Sequence, residues 1–144
     1  MKEKALNLLG LMRKANAVQI GETDTGTAAK AEQAKLILLA SDASDNAVSR
    51  ANGFVYSRDI LLIKSPFTKD EISSHVGKSG CSMMAVCDLG FADALLKILS
   101  TISPGEYDLT AKNIADRLEK EKQRKKEKSA HENNMRTGKR RKNA

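Results

Sequence analysis

Gly21, four residues, Gly26 and then Thr27 come close to the spacing of a phosphate-binding loop, G-x-x-x-x-G-K-[ST]. That loop needs a lysine to balance the β- and γ-phosphate charge and a hydroxyl beside it for the metal. Here Thr27 stands in the lysine's place and Ala28 in the hydroxyl's, while Glu22 and Asp24 add negative charge inside the loop. What remains is a glycine turn entering a helix, with Thr23 or Asp24 as candidate caps.

Other catalytic material is sparse. His75 and His131 are the two histidines, one on an expected helix and one in the tail, and neither comes with a recognisable nucleophile or acid. Asp42 and Asp45 follow an apolar strand, where α/β folds often bind ligands, but capping of the next helix by Asp42 or Ser44 accounts for them more simply. Cys81 and Cys87 lack CxxC spacing or a histidine cluster, so the reading expects reduced thiols on one face of a strand and no metal. No enzyme activity and no cofactor are expected.

The elements that must carry these residues follow from periodicity. Ala5, Leu8, Leu9 and Met12 mark an amphipathic first helix. "AVQIG", "KLILLAS", "DILLIKS" and "CSMMAVCD" read as strands, the longer ones continuously apolar and so buried. Between them, helices are expected over about 23–33, over 43–51 with a break at Asn52-Gly53, and from Thr68 to a stop at Gly77. Leu89, Ala92, Leu96 and Leu99 define a fifth. Alternation of this kind describes a sheet covered by helices on both faces. With 144 residues, 40% hydrophobic but only 3% aromatic, one domain with an aliphatic core is expected. No apolar run reaches membrane-spanning length and no signal-peptide pattern opens the chain, so a cytoplasmic protein without membrane contact is expected.

The net charge of +7 is unevenly placed. Residues 104–144 hold 13 Lys and Arg against 7 Asp and Glu, and residues 1–103 hold 12 against 11. The expected division is therefore a near-neutral domain over 1–103, closed by Pro104-Gly105, and a basic tail over 104–144. The tail reads as partly helical, then disordered from His131. Such a tail suits a polyanion.

The spacing around Gly21 fits a known family better than a phosphate loop. Gly21-Glu22-Thr23-Asp24 occupies the place of a G-T-N-E signature, Ala34-Lys35-Leu36 that of A-K-L, and "ILLASDAS", with Ser44, that of an apolar strand and acidic turn. "IKSPFTKDEISSHVGKSG" and "CDLGFADALLKIL" continue the match, which covers Ala5 to Leu99. The chain resembles the L-seven-Ae/L-thirty-e ribosomal-protein family, in its bacterial YlxQ-type branch. That resemblance implies a three-layer α/β/α sandwich of the L-thirty-e type with a mixed sheet, to which the charge count adds a basic C-terminal extension. It also implies a monomer that binds structured, kink-turn-like RNA, ribosomal or ribosome-associated.

Carried over residue by residue, the RNA-reading edge is Gly21 to Asp24 with Thr27, Lys35 and Ser44. Lys69 matches the lysine beside a flipped-out nucleotide. Val48 and Met83 match the apolar positions of its pocket, and Gly77, Lys78, Ser79 and Gly80 lie in the pocket's loop. Thr23 replaces the family's asparagine, Asp24 its glutamate, Thr27 a lysine, and Gly80 a stacking arginine of some relatives. A threonine hydroxyl cannot copy the paired donor and acceptor of an amide. A protein-interaction adaptor that kept the fold but lost kink-turn recognition is the alternative.

Lacking the phosphate-loop lysine, the protein should show no rise in melting temperature with ATP or GTP and magnesium. A bound nucleotide at a hundredfold excess over its Kd would add about 2.7 kcal/mol. A clear shift in a thermal melt would reopen the nucleotide reading.

Overall fold

The computed structural model describes residues 1–79 and 81–142, with side chains described up to residue 130. Its elements in chain order are α1 (Lys2–Lys14), β1 (Val18–Ile20), α2 (Glu22–Lys30), β2 (Leu36–Leu39), α3 (Asp45–Val55), β3 (Leu61–Lys64), α4 (Lys69–Val76), β4 (Met83–Val86), α5 (Leu89–Ile102) and α6 (Asp108–Lys142).

The four strands form one mixed sheet in the order β1-β4-β2-β3. β4 runs antiparallel to both neighbours, with Ile20 opposite Met84 on one side and Leu39 opposite Met83 on the other. β2 and β3 are parallel, Leu36 facing Leu61. Strand parity divides the core in two. Leu36, Leu38, Met84 and Val86 face α1, α4, α5 and the start of α6 in a cluster of bulky side chains such as Leu9, Met12, Phe67 and Leu96. Ile37, Leu39, Met83 and Ala85 face α2 and α3 across an alanine-rich layer of Ala28, Ala29, Ala47 and Ala51. This is the three-layer α/β/α sandwich with the mixed sheet that the sequence reading expected.

Several local expectations are corrected. α2 begins at Glu22 with Gly21 as its N-cap and no side-chain cap, so neither Thr23 nor Asp24 closes it. It ends at Lys30, because Glu32 turns the chain through positive φ. α3 does not break at Asn52-Gly53; it runs through both to Val55, held by Ala47, Ala51 and Phe54 packed on the alanine layer. Ser44 caps α3 by accepting from Ala47 N, whereas Asp42 Oδ1 accepts from Lys69 N at 2.8 Å and so serves α4. β3 is an edge strand and only half-buried at Leu61 and Leu62. Cys81 and Cys87 lie on opposite faces of the sheet, since Cys81 precedes the strand, outside its alternation. Both thiols are free.

α4 is fixed by a full capping box, Thr68 Oγ1 accepting from Glu71 N and Glu71 Oε1 accepting from Thr68 N. Glu71 also pairs with Lys2 at 2.9 Å, which ties α1 to α4. Lys2, then the Thr68 N–H, hold the Glu71 carboxyl below its ordinary value.

The packed unit extends past Ser103. Tyr107 and Ile114 are 3% and 0% exposed and belong to the main core, and Tyr107 donates its hydroxyl to Lys64 O at 2.8 Å. Pro104-Gly105 is therefore a turn inside the domain. α6 returns along α5 and is clamped at Arg117, which donates to Asp59 O and to Asp59 Oδ1. Its backbone stays helical from His131 to Lys142, a segment expected to be disordered, and no proline interrupts it.

Ile114→Ala should lower the unfolding free energy by about 2–4 kcal/mol, and Leu109→Ala, at an 83% exposed site, by less than about 0.5 kcal/mol. Urea unfolding would separate them, and equal effects would contradict the docking of α6. A chain ended after Ser103 should be destabilised where one ended after Ser129 is not. Glu71→Gln should remove stability that is present above the unfolded carboxyl value of 4.5 and lost as pH falls through the lowered folded value. The gap between wild type and variant should therefore close in acid; a gap independent of pH would deny the Lys2–Glu71–Thr68 link.

Candidate functional site

The ends of β1 and β2 and the start of β4 meet at one edge of the sheet. Gly21 N donates to Met83 O at 3.0 Å, and Ala40 N to Ser82 O at 2.9 Å. The N-termini of α2, α3 and α4 converge on this edge because each follows a strand that ends there. Gly21 has φ 96 and ψ 163, a region open essentially to glycine alone. A side chain at Gly21 would meet nothing within 4 Å, so its backbone, and not crowding, demands glycine. With no side-chain cap, the first N–H groups of α2 remain available to an acceptor from outside.

The two acids of this turn are each paired. Glu22 Oε2 binds Arg50 at 2.8 Å, and Asp24 Oδ2 binds Lys78 at 3.3 Å, while Lys78 Nζ also donates to Ile20 O at 3.0 Å. Arg50 and Lys78 are thereby held beside the α2 N-terminus. Thr23 and Thr27 are exposed one turn apart, and Thr27 Oγ1 donates to Thr23 O at 3.0 Å. Behind them an open groove of about 240 Å³ runs between α2 and α3, floored by Gly26 and Phe54 and flanked by Lys30 and Arg50. A Cβ on Gly26 would come within 2.8 Å of the Phe54 ring, so this glycine sets the spacing of the two helices.

Of the residues expected at the site, Gly21 to Asp24, Thr27, Ser44, Val48, Lys69 and Gly77 to Ser79 are brought to this edge. Val48 is half-buried one turn into α3, and Lys69 opens α4. Gly77 ends α4 in the left-handed conformation and leaves Lys78 and Ser79 exposed. Gly80 lies outside the described residues. Met83 is fully buried in the alanine-rich layer, under the edge and not on it.

Lys35 is not at this edge. Its N donates to Val86 O at the opposite end of β4, roughly 10 Å along the strand from Met83. Short spacing in the family motif does not reveal that a strand length separates its parts. Arg50, Lys30 and Phe54 escaped the sequence reading, although an aromatic three residues after Ala51 on an alanine-faced helix was an available signal.

His75 Nδ1 lies 2.9 Å from the carbonyl oxygen of Glu71, a contact within α4. Burial pushes the Cys87 thiol up, against a smaller opposing effect of Lys35. Among the described residues no three His, Cys, Asp or Glu gather as a metal set, and no helix is long and apolar enough to cross a membrane.

No protein-family model matches the sequence. RNA-binding protein YlxQ of Enterococcus faecium is 30% identical over 91 residues, 63% of this chain and 86% of its relative. A Bacillus halodurans protein of unknown function has a solved structure that superposes with a TM-score of 0.61 at 26% identity, over 67% of this chain and 97% of its own. The Giardia lamblia 15.5kD RNA binding protein superposes with a TM-score of 0.54 at 14% identity, over 67% of this chain and 82% of its own, a likeness of fold alone. Together with the strand order and the Gly21 turn, these matches place the chain in the YlxQ branch of the L-seven-Ae/L-thirty-e family.

Proposed function

We propose that the protein is a non-catalytic, cytoplasmic RNA-binding protein, and that the edge formed by the α2 N-terminus and the α4–β4 loop is its RNA-reading surface. The observation that carries this reading is the uncapped α2 turn, with Gly21 at positive φ and its two acids matched to Arg50 and Lys78. Free backbone N–H groups and two held cations suit a structured phosphate backbone, and exposed Thr23 and Thr27 offer hydroxyls to base edges. Membership of a family whose Enterococcus faecium relative carries the name RNA-binding protein supports it. The RNA class is one with a kink-turn-like bend, ribosomal or ribosome-associated, and binding is by a single copy of the chain. Lys69 and Val48 would flank an unstacked nucleotide, with Lys78 and Ser79 on the opposing loop.

Electrophoretic binding to a kink-turn, against the same RNA with its sheared G·A pairs replaced, tests this reading. Thr23→Asn combined with Thr27→Lys should strengthen kink-turn binding by about tenfold, through a restored amide and a charge-assisted contact. Lys78→Glu should weaken it by at least that factor, since it places a carboxylate against Asp24. Gly21 is a poor probe, because any side chain there strains the backbone. Unchanged affinity in both variants, on protein shown to be folded by circular dichroism, would remove the site from this edge.

A further inference from the structure

A wide cleft lies at the other end of the sheet, where Lys35 precedes β2, Asp59 precedes β3 and Leu89 opens α5. It is open, about 650 Å³, and α6 forms its long wall. Five cations line it: Lys35, Lys112, Arg117, Lys120 and Arg124. Their carboxylate neighbours are largely committed elsewhere. Asp59 is bound by Arg117 at 2.6 Å, and Glu121 by Lys125 at 3.3 Å. Asp116 alone then stands against Lys35, Lys112, Lys120 and Arg124, none of which has an ion-pair partner among the described residues.

The row is built rather than incidental. Tyr107 and Ile114 anchor α6 in the core, and Arg117 is fixed by three hydrogen bonds, two to Asp59 and one from its Nε to Asn113 Oδ1. Lys120 and Arg124 therefore project from a docked helix one turn apart, about 6 Å of rise, with Lys112 two turns earlier. A single small anion would need an enclosed pocket, whereas an open trough with cations spread along it matches a chain of evenly spaced charges. The exposed part of α6 lacks the apolar stripe that a membrane-surface helix requires.

We propose that this cleft is a second RNA site, one that takes phosphodiester backbone without reading bases. One copy of the chain then holds two RNA segments at opposite ends of its sheet: a structured element at the α2 edge and a second strand along α6. The inference rests on the RNA reading above, but on different residues. It reassigns Lys35 from the first site to the second.

The test compares two charge-matched variants of the full chain. Lys120→Gln with Arg124→Gln removes charge from the cleft, and Lys122→Gln with Lys126→Gln removes as much from the other side of α6. The assay records energy transfer between a labelled kink-turn and a labelled unstructured uridine strand, at equal protein and RNA, and the salt dependence of strand binding. The cleft variant should lose co-capture of the strand and lower the log–log salt slope by about 1.4, at 0.7 per phosphate. Its preference for the kink-turn over the G·A-replaced control should survive. The outer-face variant should keep all three properties.

Equal losses in both variants would reduce α6 to a nonspecific basic helix and overturn the cleft. No loss in either would overturn it as well. In both cases the α2-edge reading stands if Lys78→Glu still weakens kink-turn binding. Conversely, loss of co-capture in the cleft variant with no effect of α2-edge variants would sink the first site and keep the second. Displacement of the strand by poly-glutamate more readily than by unlabelled RNA of equal charge would make an acidic polypeptide the occupant instead.

Discussion

The architecture depends on β4 entering between β1 and β2, antiparallel to both. A strand late in the chain thereby closes the sheet formed by the first two, and its two ends fix the two ends of the molecule. At one end Gly21 N and Ala40 N donate to Met83 O and Ser82 O; at the other Lys35 N donates to Val86 O and Cys87 N to Ala17 O. These bonds leave no freedom of register, because a slip of one residue would carry Met84 and Val86 from the bulky core to the alanine layer. They also bring the α4–β4 loop, more than fifty residues downstream, against the α2 turn, where Lys78 reaches both Ile20 O and Asp24.

The unequal thickness of the two core layers shapes the α2 edge. Large side chains on one face need three helices and the first turns of α6 to enclose them. On the other face, alanines let α2 and α3 lie close, with Gly26 against the Phe54 ring. That close approach puts Arg50 of α3 within reach of Glu22 of α2. The groove between the helices is thus a product of small residues in the core, and its cations are positioned by packing before any ligand arrives.

Features carried by neighbouring residues were readable from the sequence, and those set by pairing across the chain were not. Thr68 announces a helix start and Gly77 a helix stop, and the apolar runs announce all four strands, each shorter, at three or four residues, than its run. Asn52-Gly53, by contrast, reads as a break, yet tertiary packing of Ala51 and Phe54 outweighs the modest helical cost of those residues. Cys81 and Cys87 have equal parity, but parity holds only inside a strand. Pro104-Gly105 looks like a domain end, because one buried tyrosine and one isoleucine beyond it make too sparse a stripe to outvote a charged helix. Lys35 was misplaced for the plainest reason: the motif gives its position along the chain and not which end of β2 the chain enters first.

Two acids at an uncapped helix N-terminus need not leave it negative. Glu22 and Asp24 sit in the first turn of α2, where the helix dipole favours negative charge. Each also holds a cation that is more than half or nearly half exposed, Arg50 at 66% and Lys78 at 46% of their side chains. An exposed ion pair of this kind adds little to stability. Its consequence lies in position: two exposed cationic side chains are kept beside the uncapped N–H groups of α2. The acids lower the net charge of the edge, whereas the far end of the sheet carries Lys35, Lys112, Lys120 and Arg124 without ion-pair partners among the described residues. For the two sites proposed above, that asymmetry would divide the work: shape at the α2 edge, charge along the docked helix.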